Sequence, residues 1–389
     1  MTATAPRPTS SIELSRGALK QNLRFIRSRL TTGAELSSVV KGNAYGHGIE
    51  TFVPMAEELG VRHFSVFDSF EAARVAACVG PDSRIMIMGH IADDELEWAI
   101  ARRLEFWVFD LDRLDAAAAA AAAVGRPARI HLEVETGMHR TGFETDELVE
   151  AARRITANPG TFTVRGVCTH FAGAETISNH ARVMSQIDRF QEGCLRLAAM
   201  GVRAQRRHAA CSAATLAYPE TIFDMARIGI LQYGFWPTDE IRIRSLQVDG
   251  HVADNPLRRV IRWQSRIMDL KTVEAGEFVG YGTTHLAARR SRIATVPVGY
   301  GHGYARALSN QGRVLVRGRR CAVVGIVNMN LILVDVTHVP RVARGDDVVL
   351  IGRQKNLSVS VSSFAELSNQ LNYELLTRLP ANIPRHAVS

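Results

Sequence analysis

The stretch Ser37 to Gly48, SSVVKGNAYGHG, sets a single lysine, Lys41, directly after a β-branched run and among glycines. An ammonium held against apolar neighbours is disfavoured in its charged form. A lysine so placed can act as a Schiff-base amine. Other groups capable of chemistry stand at the ends of similar apolar runs. His170 closes VCTHF, Ser212 follows HAAC, and Arg227, Gly229 and Ile230 lie in ARIGI. A hydroxyl and bare backbone N–H groups near late strands suit a phosphate. Taken singly, each residue reads as a solvated lysine, a helix cap or a satisfied core residue. Their shared placement at strand ends is what points to a site.

The elements that must position these groups follow from the hydrophobic pattern. Short apolar runs occupy 36–41, 63–68, 84–89, 104–110, 129–135, 164–171, 206–211 and 225–234. Amphipathic segments, among them Ser69–Cys78 and Asp93–Arg103, separate most of them. Asp112–Val124 carries eight consecutive alanines and stops at Gly125. Alanine is the best helix former and glycine a common C-terminal stop, so this is a helix. Strands alternating with helices predict an α/β fold with a (β/α)8 barrel, whose active site lies at the C-terminal strand ends. An open doubly wound sheet is the rival, but no GxGxxG follows an early strand. Beyond about Asp249 the pattern turns β-rich with little helix. The expected organisation is a flexible N-terminus over 1–11, a barrel over 12–245 and a mostly-β domain over 246–389, with 246–259 as linker.

The chain has 389 residues, 46% hydrophobic and 22% charged, enough apolar material for two cores. Its formal net charge of +8 comes from scattered arginines, which read as a solvated surface rather than a nucleic-acid module. Five cysteines, odd in number and widely spaced, argue against a disulfide framework or a zinc site. The polar start MTATAPRPTSS has no secretory character and no run approaches 18 apolar residues. The expectation is a cytoplasmic protein without membrane span, metal or nucleic-acid partner.

VVKGNAYGHG resembles the pyridoxal-phosphate motif of the alanine racemases. Further segments resemble that family in order along nearly the whole chain: ETGMHRTGF (135–143), THFAGAE (169–175), HAACSAA (208–214), FDMARIGILQYG (223–234) and VGYGTT (279–284). VGYGHGYAR (298–306), VGIVNMN (324–330), NYELL (372–376) and IPR (383–385) complete the set. The resemblance implies pyridoxal phosphate as cofactor and racemisation of free amino acids, alanine first. It also implies a homodimer in which the partner's β domain completes each site.

The same resemblance implies the roles. Lys41 carries the cofactor and is the base for the D-enantiomer, and Tyr281 is the opposite-face base for the L-enantiomer. His170 packs at the cofactor and connects to that tyrosine. Arg227 faces the pyridine nitrogen, where a cation weakens the electron sink and suppresses transamination. Tyr45, Ser212, Tyr373 and the backbone at Gly229 and Ile230 hold the phosphate. Arg140 and Met329 receive the substrate carboxylate, and Tyr300 gates the site.

The sequence also departs from the family pattern. Glu133 stands where many members carry a carbamylated lysine, and would supply a carboxylate to Arg140 directly. Cys211 replaces an asparagine beside Ser212, and His139 lies where a small residue is common. Asn328 and Asn330 replace a cysteine and an aspartate near the substrate entrance, which opens a broad-specificity or serine-accepting reading. A non-catalytic cofactor carrier would need no Tyr281. A decarboxylase is opposed by Arg227, and a D-amino-acid aldolase would need a metal site that the sequence does not offer.

Overall fold

The computed structural model describes residues 6–248, 251–360 and 372–389. The chain divides into two compact units. One holds Ala18–Gly42 and Val53–Arg258; the other holds Met1–Gly17, Asn43–Phe52 and Arg259–Ser389.

The first unit is the barrel. Its strands are β2 (Glu35–Val39), β3 (His63–Val66), β4 (Arg84–Ile87), β5 (Glu105–Val108), β6 (Ala128–Glu133), β7 (Phe162–Cys168), β8 (Arg207–His208) and β9 (Met225–Ile228). Each falls inside one of the eight apolar runs or overlaps it. All pairs are parallel, in the order β8-β7-β6-β5-β4-β3-β2-β9. A parallel bridge between Cys211 and Arg227 links the two ends, with the Arg227 amide donating to the Ala210 carbonyl at 2.9 Å. That closure removes the open edges a sheet would otherwise expose. The alanine-rich helix runs from Leu111 to Val124. Asp110 caps its start by accepting from the Arg113 amide at 2.7 Å, and Gly125 ends it at φ 68°.

Side chains two apart on a strand share a face. Inside the barrel, Met86, Trp107, Cys168 and Met225 form an apolar cluster. Glu105, His131 and Arg227 lie two residues from Trp107, Glu133 and Met225 respectively, and all are buried. The barrel interior therefore sets polar side chains directly beside apolar ones, Glu105 in register with Met86 and His208 in register with Cys168.

The second unit is built on one sheet. Its strands are β1 (Ser10–Ser15), β12 (Ile261–Arg266), β13 (Asp269–Val273), β14 (Ser291–Val296), β15 (Arg313–Val316), β16 (Arg319–Val324), β17 (Ile332–Asp335), β18 (Asp347–Gln354), β19 (Leu357–Val359) and β20 (Arg385–Val388). The order is β13-β14-β17-β16-β15-β18-β12-β1-β20, with β19 on β18. Here the expected boundaries shift. Residues 10–15 pair antiparallel with β12 and parallel with β20 instead of leading into the barrel. The physical reason is the alternation in SSIELS, which buries Ile12 and Leu14 completely in the sheet. Of the expected flexible N-terminus, residues 1–5 lie outside the described residues. The expected linker contains a two-strand hairpin, β10 (Gln247–Val248) with β11 (His251–Val252). Its Asp249 and Gly250 are outside the described residues.

Candidate active site

Strand β2 ends at Val39, and the Val40 amide still donates to the Ser65 carbonyl at 2.8 Å. The next residue is Lys41. From there the backbone turns left-handed: Gly42, Asn43, Ala44 and Tyr45 have φ of 62°, 54°, 54° and 51°. For residues other than glycine this conformation costs about 1–2 kcal/mol each, so it needs support. Within the β unit, the buried His47 ring donates through Nδ1 to the Ala44 and Tyr45 carbonyls at 3.1 and 3.0 Å. The Arg385 guanidinium donates to the Gly46 carbonyl at 3.2 and 3.0 Å. Gly46 can carry no side chain, because a Cβ would lie 1.8 Å from the Leu376 carbonyl oxygen. Burial pushes the His47 pKa down to about 4, which keeps the ring neutral.

In the barrel unit, Lys41, Arg140, Arg227 and His170 act on one another. Partial desolvation lowers the Lys41 pKa, the nearby Arg140 and Arg227 lower it further, and Glu71 and Cys211 oppose. On the single chain the Lys41 side chain is open to solvent, so the amine is both reachable and crowded by cations. His170 is pushed to about 3 by burial, Arg227, Arg140 and Lys41, and is neutral.

Arg227 is the best-held of these groups. It is 3% exposed. Its Nη1 donates to His208 Nδ1 at 2.5 Å and to the His208 carbonyl at 2.8 Å. Its Nη2 donates to the carbonyls of Thr169 at 2.6 Å and Ala209 at 3.2 Å. The guanidinium carbon lies 5.2 Å from the centre of the Trp107 ring. Four of the five N–H donors of a guanidinium are thus committed, and Nε–H remains for a ligand acceptor.

Ser212 opens a short helix, Ser212–Ala217, after Cys211, and accepts from the Gly229 amide at 3.0 Å. Its own hydroxyl hydrogen can still be donated. Ile230 begins the 3-10 turn Ile230–Tyr233 and has no acceptor within its own helix. A hydroxyl and an amide at adjacent strand ends form a small anion cradle. Cys211 itself contributes backbone pairing with Arg227.

Glu133 is buried at 2% exposure, and its Oε2 has no hydrogen-bond partner among the described residues. Burial raises its pKa, while a hydrogen bond from Thr141 and the charges of Arg140 and Arg227 counter. The Arg140 loop is set by a residue the sequence reading missed. The Glu135 carboxylate accepts from the amides of Gly137, Met138 (2.8 Å) and His139 (3.0 Å). Burial alone would raise the Glu135 pKa, but the amides of Gly137, His139 and Met138 hold it low. His139 sits at φ 55°, in the left-handed region that histidine enters more readily than most residues other than glycine.

The remaining expected residues belong to the β unit. Tyr45 and Tyr373 meet edge-to-face with ring centroids 6.0 Å apart. Tyr281 is 71% exposed at a loop tip between Gly280 and Gly282, both left-handed. The Tyr300 and Gly301 amides donate to the carbonyls of Asn328 and Met329, each at 2.9 Å, which ties two loops together. Tyr300 and Met329 are exposed, as is Asn330. The Asn328 Oδ1 is buried without a hydrogen-bond partner among the described residues.

Sequence reasoning also missed a buried polar set inside the barrel: Ser37, His63, Glu105, His131 and His208. The available signal was a polar residue at an inward position of successive apolar runs, as in HFSV, EFWV and RIHLE.

The family model of the alanine racemase N-terminal domain matches residues 14–237, and that of the alanine racemase C-terminal domain matches residues 260–387. Over 380 residues the chain is 34% identical to an alanine racemase of Leptospira interrogans, covering 98% of this chain and 96% of that one. It is 36% identical over 380 residues to an alanine racemase of Symbiobacterium thermophilum, covering 97% of each. The solved alanine racemase of Streptomyces coelicolor A3(2) superposes with a TM-score of 0.89 at 31% identity over 98% of both chains.

Proposed function

This chain belongs to the alanine racemase family, which depends on pyridoxal phosphate, and on that premise we propose that it interconverts L- and D-alanine with Lys41 and Tyr281 as bases on opposite faces of the substrate α-carbon. Bound pyridoxal phosphate supplies an electron sink that makes an amino acid's α-proton removable at neutral pH.

The residues present fit that group. Lys41 offers an amine of lowered pKa. Ser212 Oγ and the Ile230 amide offer donors to a phosphate, with Tyr45 and Tyr373 joining them. Arg227 offers Nε–H alone, which suits a ring nitrogen that accepts and therefore stays unprotonated. This restraint favours racemisation over transamination. The observation that carries the reading is the group of Lys41, Arg140 and Arg227 at the strand ends, three cations beside the neutral His170.

Proton transfer then falls to two residues. Lys41 takes or returns the α-proton on one face, and Tyr281, from a second copy of the chain, does so on the other. His170, neutral, connects to that tyrosine. Arg140 and the Met329 amide hold the substrate carboxylate, and Glu133 keeps Arg140 in place without an acquired carbamate. Tyr300 restricts entry. The homodimer this requires is supported by the exposed large side chains Phe278, Tyr281, Leu286, Tyr300 and Met329 of the β unit, which a second copy could cover. No helix among the described residues is long and apolar enough to cross a membrane. The five cysteines are free, in keeping with the cytoplasm we propose for it.

A second reading, acceptance of serine or other hydrogen-bonding side chains, is favoured by the unpartnered Oδ1 of Asn328. A serine hydroxyl could donate to it; alanine could not.

The deciding experiment is racemisation of L-alanine, L-serine and a broader panel by the purified protein with pyridoxal phosphate, read by chiral chromatography. Conversion of alanine that disappears in Lys41→Ala is expected. Conversion of no amino acid, with cofactor still bound through Lys41, overturns the racemase reading.

A further inference from the structure

A barrel interior is ordinarily filled by branched aliphatic residues. Here a continuous hydrogen-bonded chain of polar side chains runs through the interior and begins at Arg227 on β9. His208 Nε2 lies 2.8 Å from His131 Nδ1. His131 Nε2 lies 3.0 Å from Glu105 Oε2. The same carboxylate oxygen meets His63 Nε2 at 3.2 Å. His63 Nδ1 meets Ser37 Oγ at 2.8 Å, and Ser37 meets Ser65 at 2.5 Å. Glu105 Oε1 accepts from Arg165 Nε at 2.7 Å. Glu105, the three histidines and both serines are at most 1% exposed.

The direction of every hydrogen bond in this chain is determined by its ends. A guanidinium only donates, and an ionised carboxylate only accepts. His208 Nδ1 must therefore be bare, which puts its proton on Nε2. That proton goes to His131 Nδ1, so the proton of His131 is on Nε2 and goes to Glu105. Starting from Glu105 gives the same assignment. Burial acts to raise the Glu105 pKa, but the bonds from His131 and His63 hold it far below the carboxylate range. Burial depresses His131 and His208, which stay neutral.

We propose that Glu105 is a positioning residue for Arg227: acting through His131 and His208, it locks the His208 tautomer whose bare Nδ1 accepts from the guanidinium and so leaves only Nε–H for the cofactor ring. The proposal rests on the reading of Arg227 as the cofactor-facing cation. The chain carries the acceptor character of a buried anion across β5, β6 and β8 without moving a proton.

Glutamine at position 105 cannot satisfy the same neighbours. With its oxygen toward His131 and His63, its amide faces the Arg165 donor. With its amide toward His131, both imidazoles must reverse, and His208 Nδ1–H then opposes Arg227 N–H. A second break lies at the joint between the imidazoles. Gly166 on β7 is beside His131 in register. A Cβ there would sit 2.4 Å from His131 Nδ1 and 2.9 Å from His208 Nε2, against the bond that joins them. Gly166→Ala therefore interrupts the chain without replacing any ionisable group.

The test uses the nitrogen-15-labelled holoprotein and two readouts. Imidazole nitrogen spectra should show His208 and His131 both protonated at Nε2 and bare at Nδ1. In Glu105→Gln and in Gly166→Ala, the fraction of turnovers that end in keto acid rather than amino acid should rise about tenfold or more, with KM for the amino acid little changed. A bare Nε2 on either ring of the unaltered protein overturns the proposal. So does an unchanged keto-acid fraction in a folded Glu105→Gln or Gly166→Ala. Should the unaltered protein racemise nothing, the functional reading falls, while the nitrogen spectra still decide the relay on their own.

Discussion

The barrel interior and the loops of the β unit contribute to the proposed site in opposite ways. Arg227 enters with four donors committed to fixed acceptors and an aromatic ring alongside. Tyr281 enters as a side chain 71% exposed, flanked by left-handed glycines. One group is positioned by the fold of a single chain. The other can be positioned only by something docking on it. On the proposed reading, the difference teaches that the group assigned to the cofactor ring is held by the barrel itself, whereas the group assigned to opposite-face proton transfer waits on assembly.

Tyr281→Phe tests the assembled half and should have the largest effect. Loss of a general base costs about 10²–10⁴ in rate. Racemisation should fall equally in both directions, because both need both bases. Exchange of the α-hydrogen with deuterated solvent separates the two faces. D-alanine should keep exchanging through Lys41, without inversion, while L-alanine should not. Undiminished exchange of L-alanine would remove Tyr281 from its assigned role.

Glu133→Gln probes the barrel half. The buried carboxylate has a raised pKa, so its charge is a liability to the folded state at neutral pH. The stabilisation it offers is present only when protonated, below its ordinary pKa, and is lost as pH rises through the raised value. The neutral amide should raise the Tm at pH 7. The same change removes the anion beside Arg140 and should weaken substrate binding, seen as a higher KM. A Tm unchanged or lowered would show that the Glu133 charge is no burden to the fold, and kinetics left intact would show that Glu133 is not the anion that holds Arg140.

These residues also mark what could be read before the structure. All eight barrel strands were legible, because a buried parallel strand is a short apolar run bounded by helix. The helix at Leu111–Val124 was legible from its alanines and its glycine stop. Strand β1 was not, since six residues before a helix carry too little pattern to name a partner 250 residues away. The placement of Lys41, His170 and Ser212 just past strand ends was legible in the apolar runs, and the roles proposed for them and for Arg227 came through motif resemblance. The relay was not: His63, Glu105, His131 and His208 are scattered along the chain, and only barrel closure turns four isolated polar residues into one network. Glu135 was missed because a carboxylate that caps a loop looks like any surface acid.

A smaller effect is expected from the support beneath the left-handed turn. The His47 pKa falls from 6.5 to about 4 on folding. A depressed histidine contributes stability that is present above its unfolded value and lost as pH drops toward the folded one, here between 6.5 and about 4. His47→Gln can still donate to the Ala44 and Tyr45 carbonyls but does not titrate. Thermal melts across that window should show a shallower acid slope, by at most about 1.4 kcal/mol per pH unit. An unchanged slope would mean that His47 is not the group that titrates.

The finest distinction lies within the loops themselves, between Asn328 and Asn330. Asn328 presents a buried acceptor without a partner, and such a group costs about 1–3 kcal/mol while unpaired. A substrate hydroxyl that pairs with it recovers part of that cost, so the site should favour serine over what size alone would allow. Asn328→Ala should then lower kcat/KM for serine relative to alanine by about tenfold. Asn330 is exposed and neutral, so it lacks the charge of the family's usual aspartate. Asn330→Asp restores the usual anion and should shift the ratio toward alanine by less, and less again in high salt. A ratio that moves only in Asn330→Asp would assign specificity to the charge at the entrance rather than to the buried acceptor. A ratio that moves in neither would leave both asparagines without a part in substrate choice.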